Sequence, residues 1–366
     1  MEAHSSRLYL GYHERFVDDC VVTLPKRRRL GAAAPAGGGG SVATVRVSQR
    51  PTLPGEGAAA GGGLLDDEHE VAQATGCTVW DGAVLLGRAI ATLPAAALRH
   101  SGAGAGKGGW TPKALEIGAG TGALGLSVAA CGAVSSILLS DMAAVLPLTQ
   151  ANLTKNRKAL RVPALCLPLL WQADGSAVHK QLLDRALPER MAPVELVIGS
   201  DLLYRPDDDG EEEGGGGSSA HSQQAALLGT LSALLQPGSS TVGLIALVEH
   251  VDGLVGKFMQ KAAACGLVVA TLEDYCACAS SDGDNADGGA ALRSALADAK
   301  ETEPPTVLLR LESARSASAS ASASASASAS ANANASGRNQ QHQQRPQPQP
   351  KRARRKSRVV VVELSQ

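Results

Sequence analysis

"KALEIGAGTGALGLSVAACG", residues 113–132, runs from a short apolar strand pattern through a glycine-rich turn into a small-residue helical pattern. Strand, glycine turn and helix in that order form the opening unit of a Rossmann-like sheet. A turn stripped of side chains lets a ligand lie against backbone, beside the positive end of the helix dipole. Two spacings overlap in it. Gly120, Gly122 and Gly125 spell G-x-G-x-x-G, while Glu116, Gly118, Gly120 and Gly122 spell E-x-G-x-G-x-G, and the glycines alone do not choose between them.

Outward from this turn the chain alternates strand-like and helical runs. "SSILLSD", "VPALCLPLLW", "VELVIGSDLLY", "TVGLIALVEH" and "GLVVATLEDY" read as strands, with helical stretches such as "AALLGTLSALLQPG" between them. Near-continuous apolar strands alternating with helices predict an α/β fold: a seven-stranded, mostly parallel sheet with helices on both faces. The closing strand is either Thr306–Leu311 or Val359–Leu364, and the pattern suits both. Upstream, alternating apolar positions in Arg7–Leu24 and Val42–Gln49 predict a short strand pair at the edge of the domain.

These readings divide the chain into N-terminal strands and a Gly/Ala linker (1–63), a core domain (64–313), a low-complexity segment expected to be disordered (314–357) and a candidate closing strand (358–366). The core is interrupted at 205–219 by an acidic, glycine-rich insertion, "RPDDDGEEEGGGGSS".

A formal net charge of -1 argues against a chain built as a whole to coat nucleic acid or anionic membrane. The seven cysteines are scattered and contain no C-x-x-C pair, which predicts reduced thiols, with neither a disulfide framework nor a zinc site; "CAC" at 276–278 is read as structural. No run approaches the ~18 apolar residues of a membrane span. A soluble, intracellular and monomeric protein is expected. The basic clusters Lys26–Arg29 and Lys351–Lys356 make nuclear import an alternative to a cytoplasmic location.

A dinucleotide would place its pyrophosphate at the glycine turn, whereas S-adenosylmethionine (SAM) would place its methionine part there. Asp141, ending the second strand of the sheet, suits the ribose hydroxyls that both ligands carry; capping the following helix is its alternative role. Glu116 separates the candidates. A carboxyl inside a buried strand is costly without a partner. A SAM site offers one at the amino-acid end of the cofactor, while dinucleotide sites usually keep that position apolar.

Four stretches carry a resemblance: "TVWDGAVLLGRAI" (78–90), "ALEIGAGTGALGLSVAACGA" (114–133), "LPLLWQ" (167–172) and "LVIGSDLLY" (196–204). In this order and spacing they resemble the seven-β-strand, class I methyltransferase-like protein-lysine methyltransferases, over roughly residues 71–275. The resemblance implies SAM as cofactor, held by Trp80, Glu116, Gly118, Ala119, Gly120, Asp141, Trp171 and Ser200. It implies a lysine-containing protein as substrate. Indole rings suit both an adenine face and a sulfonium cation. Trp110 reads instead as a loop anchor.

Asp201 and Tyr204 follow the fourth strand of the sheet, at the edge where such sheets place their reacting groups. They are the candidate catalytic residues: Asp201 to orient an incoming ammonium, Tyr204 to line the channel. A cap or loop hydrogen bond is the alternative for Asp201. The acidic insertion after Tyr204 departs from the family pattern. Two rival functions stay open: transfer to histidine or a small molecule, and a SAM-binding interaction protein without turnover.

Overall fold

The computed structural model describes residues 19–26, 42–49, 76–93, 95–98, 111–183, 193–203, 223–236, 239–249, 252–274, 293, 296, 297 and 306–313. Tyr204, Trp110, the acidic insertion, the CAC cysteines, the basic clusters apart from Lys26, and the alternative closing strand at 358–366 lie outside these residues.

A seven-stranded sheet forms the centre. Its strands are β3 (Lys113–Ile117), β4 (Ser136–Asp141), β5 (Ala164–Pro168), β6 (Leu196–Ser200), β7 (Val242–Val248), β8 (Leu267–Thr271) and β9 (Thr306–Ser313), in the order β5-β4-β3-β6-β7-β9-β8. The pairings from β5 to β7 are parallel, and β9 runs antiparallel between β7 and β8. Thr306–Ser313 therefore fills the place of the closing strand. All seven residues of β7 are buried, as a strand covered on both faces requires.

Helices α1 (Asp81–Thr92), α2 (Ala123–Cys131) and α3 (Leu146–Asn156) follow one another through the first half of the domain; α4 (Gly175–Leu183), α5 (Gln223–Leu234) and α6 (Leu254–Ala264) complete it. Two apolar clusters result, one holding the buried faces of α1 and α2, the other those of α5 and α6. In α6, Leu254, Val255, Phe258, Met259 and Ala262 are buried at helical spacing. α2 ends at Gly132, whose φ of 76° is the left-handed conformation that suits glycine and whose N–H bonds to the Val128 carbonyl.

The predicted N-terminal strands are β1 (Asp19–Pro25) and β2 (Val42–Ser48), an antiparallel pair with one buried and one exposed face. They form a separate sheet and do not extend the main one. Their inward residues Cys20, Val22, Leu24, Ala43, Val45 and Val47 join the cluster of α1 and α2, so the pair belongs to the same core.

Arg310 and Glu312, two apart on β9 and so on one face of the strand, form a buried ion pair. Removing one partner of such a pair leaves a charge in a dry interior. Glu312→Ala is expected to lower unfolding stability by about 3 kcal/mol, measured by urea melts.

Candidate active site

β3 and β6 are neighbours at the centre of the sheet, and the connections leave them in opposite directions. The crevice beyond the carboxyl ends of strands at such a switch point is where doubly wound sheets take ligands. A cavity of about 240 Å³ lies there. It is lined by all eight residues expected to hold the cofactor, Trp80, Glu116, Gly118, Ala119, Gly120, Asp141, Trp171 and Ser200, and by Asp201.

The glycine turn is shaped by its missing side chains. Gly118, Gly120 and Gly122 all have positive φ, at 62°, 52° and 81°. A Cβ on Gly118 would lie 3.0 Å from the Trp171 indole, and one on Gly120 would lie 2.8 Å from the Gly76 carbonyl. The turn is pinned by polar contacts. Ala119 N–H donates to the Ser140 carbonyl (2.9 Å), Gly120 N–H to Asp141 Oδ2 (2.7 Å), and Thr149 Oγ1 to the Gly120 carbonyl (2.6 Å).

Gly125 explains why two motifs overlapped. A Cβ there would stand 2.3 Å from Glu116 Oε2 and 2.3 Å from Leu139. Its absence lets α2 close on the sheet, so that Gly125 N–H donates to Glu116 Oε2 at 3.1 Å. The third glycine of the dinucleotide spacing thus makes room for an acid. Glu116 is 1% exposed, and burial holds its carboxyl well above the usual range, opposed by the Gly125 bond and reinforced by the charge of Asp141. The partner for its burial expected from the cofactor is supplied, at one oxygen, by the protein's own backbone.

Asp141 ends β4 with both carboxylate oxygens engaged: Oδ2 by Gly120 N–H and Oδ1 by Met142 N–H (2.7 Å each). Burial pushes its pKa up to about 6, against these two bonds. The alternative capping role is not realised, because α3 begins at Leu146 with Val145 as its N-cap.

Trp171 stands on a short loop fixed at several points. Leu169 N–H bonds to the Asp141 carbonyl, Gln181 brackets both backbone groups of Leu170 at 2.9 Å, and Gln172 N–H bonds to Thr230 Oγ1. Trp80 occupies the N-cap position of α1 with extended backbone. Asp201 is the one non-glycine residue with positive φ (52°) among the described residues. Its carboxylate lies against the first turn of α1, where a Cβ on Gly82 would be 2.4 Å from Oδ2. Helix N–H groups in a first turn have no partner inside the helix, and negative charge is favoured there. Asp201 therefore stands both in the cavity wall and against a helix end.

The sequence reading missed Thr78, Met142, Leu170 and Gln223, which also line the cavity. Only their adjacency to Trp80, Asp141 and Trp171, or for Gln223 its place at the start of a helix, was visible beforehand.

The charged residues of the described lining are Glu116, Asp141 and Asp201, and it contains neither lysine nor arginine. Such a wall repels a pyrophosphate and accommodates a sulfonium. A family described as lysine methyltransferase matches residues 63–208. That match takes in the glycine turn, Asp141, Trp171 and Asp201. The methyltransferase domain uses SAM, and the cavity suits it: acidic groups, two indoles and a turn open to backbone contact. Three solved structures are similar to part of the chain. A CurJ carbon methyltransferase is 14% identical, with a TM-score of 0.31 over 55% of this chain and 48% of its own. Magnesium protoporphyrin IX methyltransferase from Synechocystis, with bound SAH, is 13% identical, with a TM-score of 0.27 over 55% and 74%. Phosphoethanolamine N-methyltransferase 2 of Haemonchus contortus, in complex with SAM, is 13% identical, with a TM-score of 0.27 over 55% and 47%. The chain spans about half the length of the first of these. No curated protein sequence matches the chain.

Among the described residues no helix is long and apolar enough to cross a membrane, and no group of three or more His, Cys, Asp or Glu is placed to hold a metal ion.

Proposed function

We propose that this methyltransferase acts on lysine side chains of a protein substrate. The observation that carries the reading is Asp201, a carboxylate held at the carboxyl end of β6 in a cavity whose charged lining residues are all acidic. An acidic wall draws an alkylammonium towards the site and offers nothing to an anionic acceptor.

SAM supplies a methyl group made electrophilic by its sulfonium. The residues of the chain bind and align. Asp141 accepts hydrogen bonds from the ribose hydroxyls, and Trp80 and Trp171 wall the cofactor and exclude water. Gly118 to Gly120 leave backbone free for its amino-acid end, next to Glu116. A lysine ammonium has a pKa of about 10.4 in water, so the amine must arrive neutral or lose its proton to water at the mouth. Asp201 orients the incoming group, and alignment supplies most of the rate. The part assigned to Tyr204, lining the channel, rests on its position three residues later.

Incubation of the full chain with radiolabelled SAM and a cell extract, followed by peptide mass spectrometry, tests the reading. Label on lysine Nζ is expected. Label confined to histidine or to small molecules would overturn the acceptor, and SAM binding with no transfer to anything would leave a binding protein.

A further inference from the structure

Three buried amide side chains outside the cavity, Asn152, Asn156 and Gln49, tie the N-terminal strand pair to α3 and to the cavity wall. Asn152 and Asn156 lie one turn apart on α3 and are 0% and 5% exposed. Asn156 Oδ1 accepts Arg46 N–H (2.8 Å) and its Nδ2 donates to the Arg46 carbonyl (2.7 Å). Asn152 does the same two residues on: Oδ1 accepts Ser48 N–H (2.8 Å) and Nδ2 donates to the Ser48 carbonyl (3.0 Å). Together the two amides take the place of a third strand along the free edge of β2. Lys155 adds bonds from Nζ to Asp19 Oδ1 (2.5 Å) and Ser48 Oγ (2.9 Å).

The two asparagines differ in the second acceptor of Nδ2, which for Asn156 is the Asn152 carbonyl on its own helix (2.8 Å). Asn152 Nδ2 also donates to the Thr121 carbonyl (2.9 Å), in the glycine turn. Thr149, three residues earlier on the same helix, holds the carbonyl of Gly120. On the other side, Gln49, directly after β2 and 3% exposed, accepts Val79 N–H at its Oε1 (2.6 Å). Val79 and Trp80 are cavity wall, as are Gly120 and Thr121. One strand end thus touches both sides of the cavity through two side chains.

The geometry points to Asn152 and Gln49 as positioning residues for the cofactor, with the N-terminal strand pair acting as a brace that sets the separation between the glycine turn and the Trp80 wall. The inference rests on the reading of the cavity as the SAM site. It makes the segment before the domain part of the site's machinery. Binding groups must be held to within about half an ångström by the shell behind them, and small misplacements are costly.

The test compares Asn152→Ala, Gln49→Ala and Asn156→Ala in the full chain. Asn156→Ala removes the same kind of bracket from β2 but no contact with a cavity residue, so it controls for general loosening. Asn152→Ala and Gln49→Ala are expected to raise the Kd and KM for SAM about tenfold, with kcat at saturating SAM within about twofold. Asn156→Ala is expected to lower Tm comparably and leave KM within about twofold. Equal KM shifts in Asn152→Ala and Asn156→Ala, or none in Asn152→Ala and Gln49→Ala, would overturn the brace while leaving the SAM site standing. If Asn152→Ala fails to fold, Gln49→Ala against Asn156→Ala decides by the same criterion. Absence of SAM binding by the unaltered protein would overturn the cofactor site and the brace with it.

Discussion

Asp141→Ala is expected to raise the Kd for SAM by at least about 100-fold, and the affinity of the unaltered protein is expected to climb as pH rises through about 6. The first effect has two sources. The carboxylate is assigned the ribose hydroxyls, and hydrogen bonds to a charged group are worth about 1.5–3 kcal/mol each. It also holds the glycine turn through Gly120 N–H and the start of the next segment through Met142 N–H. Asp141→Asn is a milder test. An amide accepts at only one of its two heavy atoms, so one of those N–H groups is left facing a donor, and a loss of roughly tenfold is expected. The pH effect follows from burial, which raises the pKa to about 6 in the folded protein. Below that value the carboxyl is protonated and loses acceptor strength towards the ribose, so affinity falls by up to about tenfold per pH unit. Stability without cofactor moves the opposite way. Between the ordinary value of 3.8 and about 6 the folded chain binds more protons at Asp141 than the unfolded chain, so this group's contribution to stability declines as pH rises through that window. Glu116, raised by burial, contributes with the same sign. Calorimetric titrations and thermal melts from pH 5 to 8 measure both slopes. Affinity flat across that range, or Asp141→Ala binding within threefold of the unaltered protein, would remove Asp141 from the cofactor site.

The sheet and the cofactor half of the site were legible because both rest on local signals. A strand that runs into glycines and then a helix has few other folds open to it, and Asp141 is found by its place at the end of the next strand. Trp80 and Trp171 were reached through the family resemblance of the stretches that carry them. What could not be read is held together by long-range pairing. Asn152 is 104 residues from Ser48, and Gln49 is 30 from Val79. Nothing in the residues around an asparagine on a helix says which backbone it will satisfy. The closing strand stayed open between two segments for the same reason, since Thr306–Leu311 and the run at 359–364 are both short and largely apolar. Gly125 shows the remaining limit. Its spacing with Gly120 and Gly122 matched a ligand motif, yet its reason for being glycine is the Glu116 carboxyl behind it.

Asp201→Asn is expected to cut kcat about 100-fold or more while leaving the Kd for SAM within about threefold. Asparagine is the informative substitute, because it shares aspartate's tolerance of left-handed backbone and nearly its volume. The φ of 52° at this position is therefore retained, and the charge alone is removed. Strained backbone at the end of a strand, at the edge where reacting groups gather, is itself a reason to expect function there. Gly82→Ala approaches the same atoms from the other side. An added Cβ would sit 2.4 Å from Asp201 Oδ2, so the carboxylate must move although its chemistry is intact. A loss of kcat of tenfold or more is expected from that displacement alone. The two variants together separate the roles that the structure allows. If Asp201 only anchored the first turn of α1, Asp201→Asn would lower Tm, and the protein that remained folded would turn over normally. If it orients the acceptor, both variants lose kcat with cofactor affinity retained, and Asp201→Asn does so with Tm shifted by only a few degrees. Full activity in Asp201→Asn would move the acceptor-binding role away from the end of β6 and leave the cofactor half of the site untouched.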